Sequence, residues 1–192
     1  MRLYLIAMAG IAAKITRMAR DQRGVSAIEF AMIVPVLILI YVGTAEIGNA
    51  LTIYRRTSQV ASTAADLTAQ VRSVNKNDIK DIQAASGSIL APYPTDPLKI
   101  VLTSVVADDK NKTKVEWSCA NKGTAHVAGA NFTLPAGLTE ADSSVLVAEV
   151  TYSFTPLLGM TTFFSPGSFD MKRTFYTRPR QSLKVTKTDN GC

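Results

Sequence analysis

Apolar positions recur along this chain in three rhythms, and each predicts a different kind of element. From Val25 the chain is apolar almost throughout. Residues 30–45 carry no charge, and the run reaches Ile53 with only Glu46 interrupting it. A run of roughly 24 residues is enough for a somewhat tilted helix to span a hydrocarbon core ~30 Å thick. Pro35 lies inside it and predicts a mild bend, because lipid-embedded helices tolerate a missing N–H better than soluble ones do. Beyond Arg55 and Arg56 the rhythm turns amphipathic. Ile53, Val60, Ala64, Leu67, Val71 and Val74 return at helical intervals, with Gln59, Asp66 and Arg72 off the stripe. These two rhythms together predict one helix from residue 25 to about residue 75. Its second half carries Ala61, Ser62, Ala64, Ala65 and Ala69, which permit close packing.

The third rhythm is alternation. First, Asn77 and Asp78 open a short helix over residues 78–90, with Ile79, Ile82, Ile89 and Leu90 inward, and Pro92, Pro94 and Pro97 stop it. Strands are then predicted at 98–106 and 113–119, joined by a turn at 108–112, and at 143–154 and 169–177. The clearest is 143–154, where Leu146, Ala148, Val150, Tyr152 and Phe154 share one face. Residues 120–142 read as loop, 156–165 as a connector with a short helical turn, and 181–192 as a polar tail. A long helix followed by an antiparallel sheet of about four strands is an α+β fold.

Length and charge narrow the function. With 192 residues, the chain holds one membrane-anchored domain at most. The formal charge of +6 suggests a basic protein, yet five of the 21 basic residues and one of the 15 acids lie before Val25. The rest is close to neutral and gives no basis for nucleic-acid binding. The early cluster (Arg2, Lys14, Arg17, Arg20, Arg23) instead keeps the chain's start on the cytoplasmic side of the membrane helix and places the remainder across it. Residues 3–13 are apolar but too short to span. Their charges follow rather than precede them, the reverse of a secretory signal. A misassigned start codon and a leader helix at the membrane surface both remain open for this stretch.

One residue is out of place. Glu29 puts a carboxylate at the start of the apolar helix, where at the helix centre it would cost roughly 2.5–3.5 kcal/mol. It calls for a partner or a task. The residues around it, Arg23-Gly24-Val25-Ser26-Ala27-Ile28-Glu29-Phe30, resemble the prepilin-type processing site of the Tad (tight adherence) pilus system: a glycine, four residues, then Glu and an aromatic. With the apolar helix that follows, they look most like TadE/TadF-type minor pilins, or pseudopilins. The resemblance covers residues 20–60, and beyond them only the general layout and Arg178-Pro179-Arg180.

The resemblance implies a pilin-like fold with a leader at 1–24, a transmembrane helix at 25–54, and an extracytoplasmic domain at 55–192 whose first part, 55–75, continues the helix. It implies cleavage between Gly24 and Val25 by a prepilin peptidase, with N-methylation of Val25 left open. Glu29 and Phe30 would align the subunit during assembly. The implied partners are other Tad pilin or pseudopilin subunits, the inner-membrane assembly platform and membrane lipid. The implied location is the bacterial inner membrane, single-pass, with the N-terminus cytoplasmic and the domain periplasmic, or the pilus itself. The residues alone supply a reason for Glu29: cleavage creates a positive α-amine on Val25, which a nearby carboxylate neutralises in a low-dielectric layer. An uncut single-pass anchor presenting a periplasmic binding domain to secretion or adhesion partners is the alternative.

Nothing suggests catalysis or a cofactor. His126 is the single histidine, in a glycine-rich loop without metal-ligand spacing, and reads as a surface residue. No P-loop, triad order or paired-carboxylate site appears. Glu46 reads as marking the far membrane interface. Trp117, Tyr152, Phe154, Phe163, Phe164, Phe169, Phe175 and Tyr176 read as core or sheet-face aromatics. Cys119 and Cys192 are the two cysteines. In an oxidising compartment they are compatible with one disulfide, and two free thiols are the other reading.

Overall fold

A computed structural model describes residues 23–156 and 167–192. Residues 1–22 of the expected leader (1–24), most of the 156–165 connector, and Phe163 and Phe164 lie outside the described residues. The first helix, α1, runs Arg23–Ala69 and includes Pro35. The chain divides within it, between Ala45 and Glu46, into two units.

In the first unit, Ile28, Phe30, Met32, Ile33, Val36, Leu37, Ile38, Leu39, Ile40 and Tyr41 are all more than half exposed, and they point in every direction around the helix. A helix apolar on all sides has no polar face to give to water. Its 18-residue window of highest mean hydropathy reaches 2.4, so α1 is long and apolar enough to cross a membrane. The Thr44 hydroxyl donates to the Ile40 carbonyl at 2.8 Å, so this polar side chain is satisfied within its own helix.

The second unit begins on the rest of α1. One face of the helix, Ile53, Thr57, Val60, Ala61, Ala64, Ala65, Thr68 and Ala69, is buried. The alanines let the helix approach its neighbours closely, and Thr57 and Thr68 discharge their hydroxyls onto the Ile53 and Ala64 carbonyls. Helix α2, Lys76–Gly87, follows and runs into a 3₁₀ turn, Ser88–Leu90. Its start is a capping box: the Asn75 side chain accepts from the Asn77 and Asp78 amides, and the Asp78 carboxylate accepts from the Asn75 amide. Its end is held by Arg56, whose guanidinium donates to the Ile89 carbonyl at 2.9 Å and also to that of Ala91. A cation at that helix end also complements the macrodipole.

Strands β2 (Leu98–Ala107), β3 (Thr113–Asn121), β4 (Ser144–Phe154) and β5 (Phe169–Thr177) form an antiparallel sheet of order β3-β2-β4-β5. The register pairs Leu102 with Cys119 and Ala148, and Tyr152 with Met171. Side chains alternate across it. Leu98, Ile100, Leu102, Leu146, Ala148, Val150, Tyr152, Trp117 and Met171 join the buried face of α1 in one core with Ile79 and Leu90 of the α2 region. The opposite face carries a smaller cluster, Val105, Val145 and Val147, on which Phe132 and Leu134 of the 122–143 loop pack. That loop also covers the β3 edge: the Val115 amide donates to the Ala130 carbonyl, and the Gly129 amide to the Val115 carbonyl. Covered edges resist pairing with other chains.

Two expectations need correction. Helix α1 ends at Ala69, not near residue 75. Ser73–Val74 form a short strand, β1, in parallel with β6, Thr186–Lys187. Val74 is buried as expected, but from a strand; Val71 is 37 % exposed. The polar tail is the cause, and it is not a tail. The Arg180 amide takes the Ala69 carbonyl at 2.9 Å, and the Thr186 and Thr188 amides take those of Arg72 and Val74. Helical periodicity extends past Ala69, but the backbone partners offered by 180–188 stop it.

Candidate functional site

The candidate processing segment occupies the first two turns of α1. Gly24, Val25, Glu29 and Phe30 are all exposed, Phe30 by 69 %. Among the described residues, a side chain at Gly24 would meet no heavy atom within 4 Å, so no packing against them explains a glycine here. Val25 and Glu29 are four residues apart within the helix, which places them one above the other on the same face.

Cys119 and Cys192 lie in the second unit and form a disulfide, with Cα atoms 5.4 Å apart. Cys119 is buried on β3, so the bridge fastens the end of the tail to the core. Three further contacts hold the same tail. The Trp117 indole N–H donates to the Val185 carbonyl at 2.8 Å. The Asp189 carboxylate accepts from the Lys76 amide at 2.7 Å, bridging to the start of α2. The Lys187 ammonium, with its side chain only 8 % exposed, bonds the Asp189 carboxylate and the Asp189 carbonyl. The hydrogen bond from Lys187, followed by that from the Lys76 amide, holds the Asp189 carboxyl below its ordinary range. The processing segment and the disulfide belong to different units.

Local pattern could not show these tail contacts, nor the setting of His126. Its Nε2 lies 2.6 Å from a carboxylate oxygen of Glu149 on β4, and its ring meets Phe132 edge-on. Its amide donates to the Ser118 hydroxyl. The histidine is thus half-buried and pins the 122–143 loop to the sheet. Gln83 does similar work for α2, donating to the Ile100 and Cys119 carbonyls. Among the described residues no three metal-ligating side chains converge. Surface clefts among the described residues are shallow. One of about 560 Å³ is bounded by Trp117, His126, Lys187 and Asp189, which are already engaged with one another or with neighbouring residues.

The geometry therefore comprises an apolar helix with an exposed Gly-x-x-x-x-Glu-Phe start and a separate, cross-braced α+β unit. No curated protein and no solved structure matches the chain. A family model does match, and its span, residues 24–66, starts on the glycine and covers most of α1: it is that of the TadE-like proteins, so that over this stretch the chain is TadE-like.

Proposed function

We propose that this protein is a minor pilin, or pseudopilin, of a Tad-type pilus, inserted in the inner membrane and processed after Gly24 by a prepilin peptidase. The observation that carries the proposal is the coincidence of two boundaries at one point. The TadE-like match begins at Gly24, and the basic cluster ends at Arg23, directly before the helix apolar enough to cross a membrane. Position 24 is exposed, and among the described residues nothing crowds it.

On cleavage the new Val25 ammonium lies one helical turn from the Glu29 carboxylate. Within one chain this pairing neutralises a charge at the positive end of the helix dipole. Between chains it selects a neighbour at the right axial position, because a buried charge left unpaired is strongly unfavourable. The role is structural, with chemistry done to the chain by a peptidase, and other pilus subunits and the assembly platform as its partners. The domain following α1 stands on the periplasmic side, where the Cys119–Cys192 bridge is stable against the compartment.

The experiment is the N-terminal residue of the membrane-extracted protein, by intact mass and N-terminal peptide mapping. A chain beginning at Val25, with the leader retained on Gly24→Leu, supports the proposal. Retention of residues 1–24 in cells with an active prepilin peptidase would favour an uncut anchor.

A further inference from the structure

At the start of the folded unit, two cation–aromatic pairs form at one level of α1, on different sides of it, from three distant parts of the chain. Tyr54 and Arg56 are on α1, Tyr93 on the turn after the 3₁₀ helix, and Arg173 on β5. The Arg173 guanidinium lies 3.9 Å from the centroid of the Tyr54 ring, and that of Arg56 lies 5.8 Å from the Tyr93 ring. The Tyr93 hydroxyl donates to the Asn49 side-chain oxygen at 3.4 Å, seating the turn beside the same stretch of helix. Arg55 stands next to this group and is exposed, as is Lys172.

Two features show that the cluster is more than internal bracing. The Arg173 Nε has no hydrogen-bond partner among the described residues and the residue is only partly buried, so its guanidinium fork is not used up by internal bonds through that nitrogen. In addition, Ile47, Leu51 and Tyr54, successive positions on one side of α1, are 64 %, 53 % and 38 % exposed. The exposed face is apolar up to the tyrosine, and the cations begin immediately after it. This order, an apolar stretch, then aromatic rings, then guanidinium groups, is that of a chain crossing the boundary between hydrocarbon and headgroups. Guanidinium forks match phosphate oxygens in geometry as well as in charge.

We propose that Tyr54, Arg55, Arg56, Tyr93 and Arg173 form a collar that binds the phosphodiester headgroups of anionic phospholipid and sets the depth at which the folded unit rests on the membrane. The tyrosines lie at headgroup level with their rings under the guanidinium groups. Arg55 and Arg173 supply the charge, since Arg56 is partly committed to the Ile89 and Ala91 carbonyls. The collar rests on the reading of α1 as a membrane anchor.

The test uses the full-length chain reconstituted in vesicles of equal phosphatidylcholine and phosphatidylglycerol, then released gently and weighed with its retained lipids by native mass spectrometry. Each membrane-facing cation is worth about fivefold in attraction to an anionic surface. The wild type is expected to retain phosphatidylglycerol in clear excess. In R55Q/R173Q that excess falls roughly ten- to thirtyfold, towards the input ratio. Equal retention of the two lipids by the wild type overturns the proposal, as does an undiminished excess in the double variant. If R55Q/R173Q fails to fold by circular dichroism, R55Q alone decides, because that side chain is exposed. Alkaline carbonate extraction of the same vesicles separates the two readings: release of the chain refutes the anchor, whereas a retained chain with no lipid preference refutes only the collar.

Discussion

The indole of Trp117, on β3, donates to the backbone carbonyl of Val185 at 2.8 Å, and both residues are buried. This contact joins positions 68 residues apart and shows how the segment after β5 becomes part of the core. Replacing Trp117 with Phe removes the donor, strands a buried carbonyl and leaves a void. A loss of about 2–4 kcal/mol is expected in urea unfolding followed by far-UV circular dichroism. A change below about 0.5 kcal/mol, the range of ordinary surface substitutions, would mean that the tail is not held this way.

The disulfide closes a loop with a sequence separation of 73. In the chain-entropy model, closing a loop of that size is worth ~4 kcal/mol. Cys192→Ser should lower the urea midpoint by a corresponding amount without changing the far-UV spectrum of the folded state. Thiol titration of the oxidised protein in denaturant should find no free cysteine.

Ala64 is fully buried on α1. Leucine there is a good helix former, so any loss reports packing rather than propensity. Ala64→Leu should destabilise by about 1–3 kcal/mol. The exposed position Gln59, changed to Leu as a control, should move stability by less than 0.5 kcal/mol, in line with ordinary surface positions.

Asp189 gives a direction for acid titration. Its carboxyl is held below the ordinary value in the folded protein, so its contribution to stability is fully present above the unfolded value of about 3.9. That contribution is lost as pH falls from there through the lowered folded value. Asp189→Asn should therefore cost stability at pH 7 and converge with the wild type in the most acid melts. A difference that stays constant with pH would assign the effect to packing.

Glu29→Gln removes the charge proposed to pair with the Val25 amine but leaves the glycine untouched. Processing should continue, with a mature N-terminus at Val25, while recovery of the protein in sheared pilus fractions falls. Loss of processing together with recovery would instead assign Glu29 to peptidase recognition.

The elements whose signals are local were legible in the sequence. The apolar helix, the alternation of 144–154 and the 98–121 hairpin all declare themselves within a couple of dozen contiguous residues, and the α+β arrangement follows from them. Gly24, Glu29 and Phe30 could be picked out because a glycine and a carboxylate at the start of an apolar run are unusual in themselves. What stayed hidden depends on partners far along the chain. Val71 and Val74 fit the helical stripe, and nothing near them says that Thr186 and Thr188 will claim the backbone carbonyls of Arg72 and Val74. His126 has no carboxylate within helical or hairpin reach; Glu149 arrives only because β4 lies in the middle of the sheet. The 181–192 segment is polar by composition, and its one fully buried side chain, Val185, is too little to mark it as core.

The parallel pairing of Ser73 with Thr186 also bears on how the molecule assembles. Helix α1 is built from local contacts and can form as soon as its residues are available, but its C-terminal boundary is set by residues more than a hundred positions later. Such closures are slow, because the intervening chain must be gathered before any contact rewards it. During synthesis, α1 is therefore complete long before the domain can be, and its core face stays uncovered meanwhile. A chain interrupted after β5 would carry the whole sheet and still leave the Trp117 indole without its acceptor, a state suited to recognition by quality-control proteases.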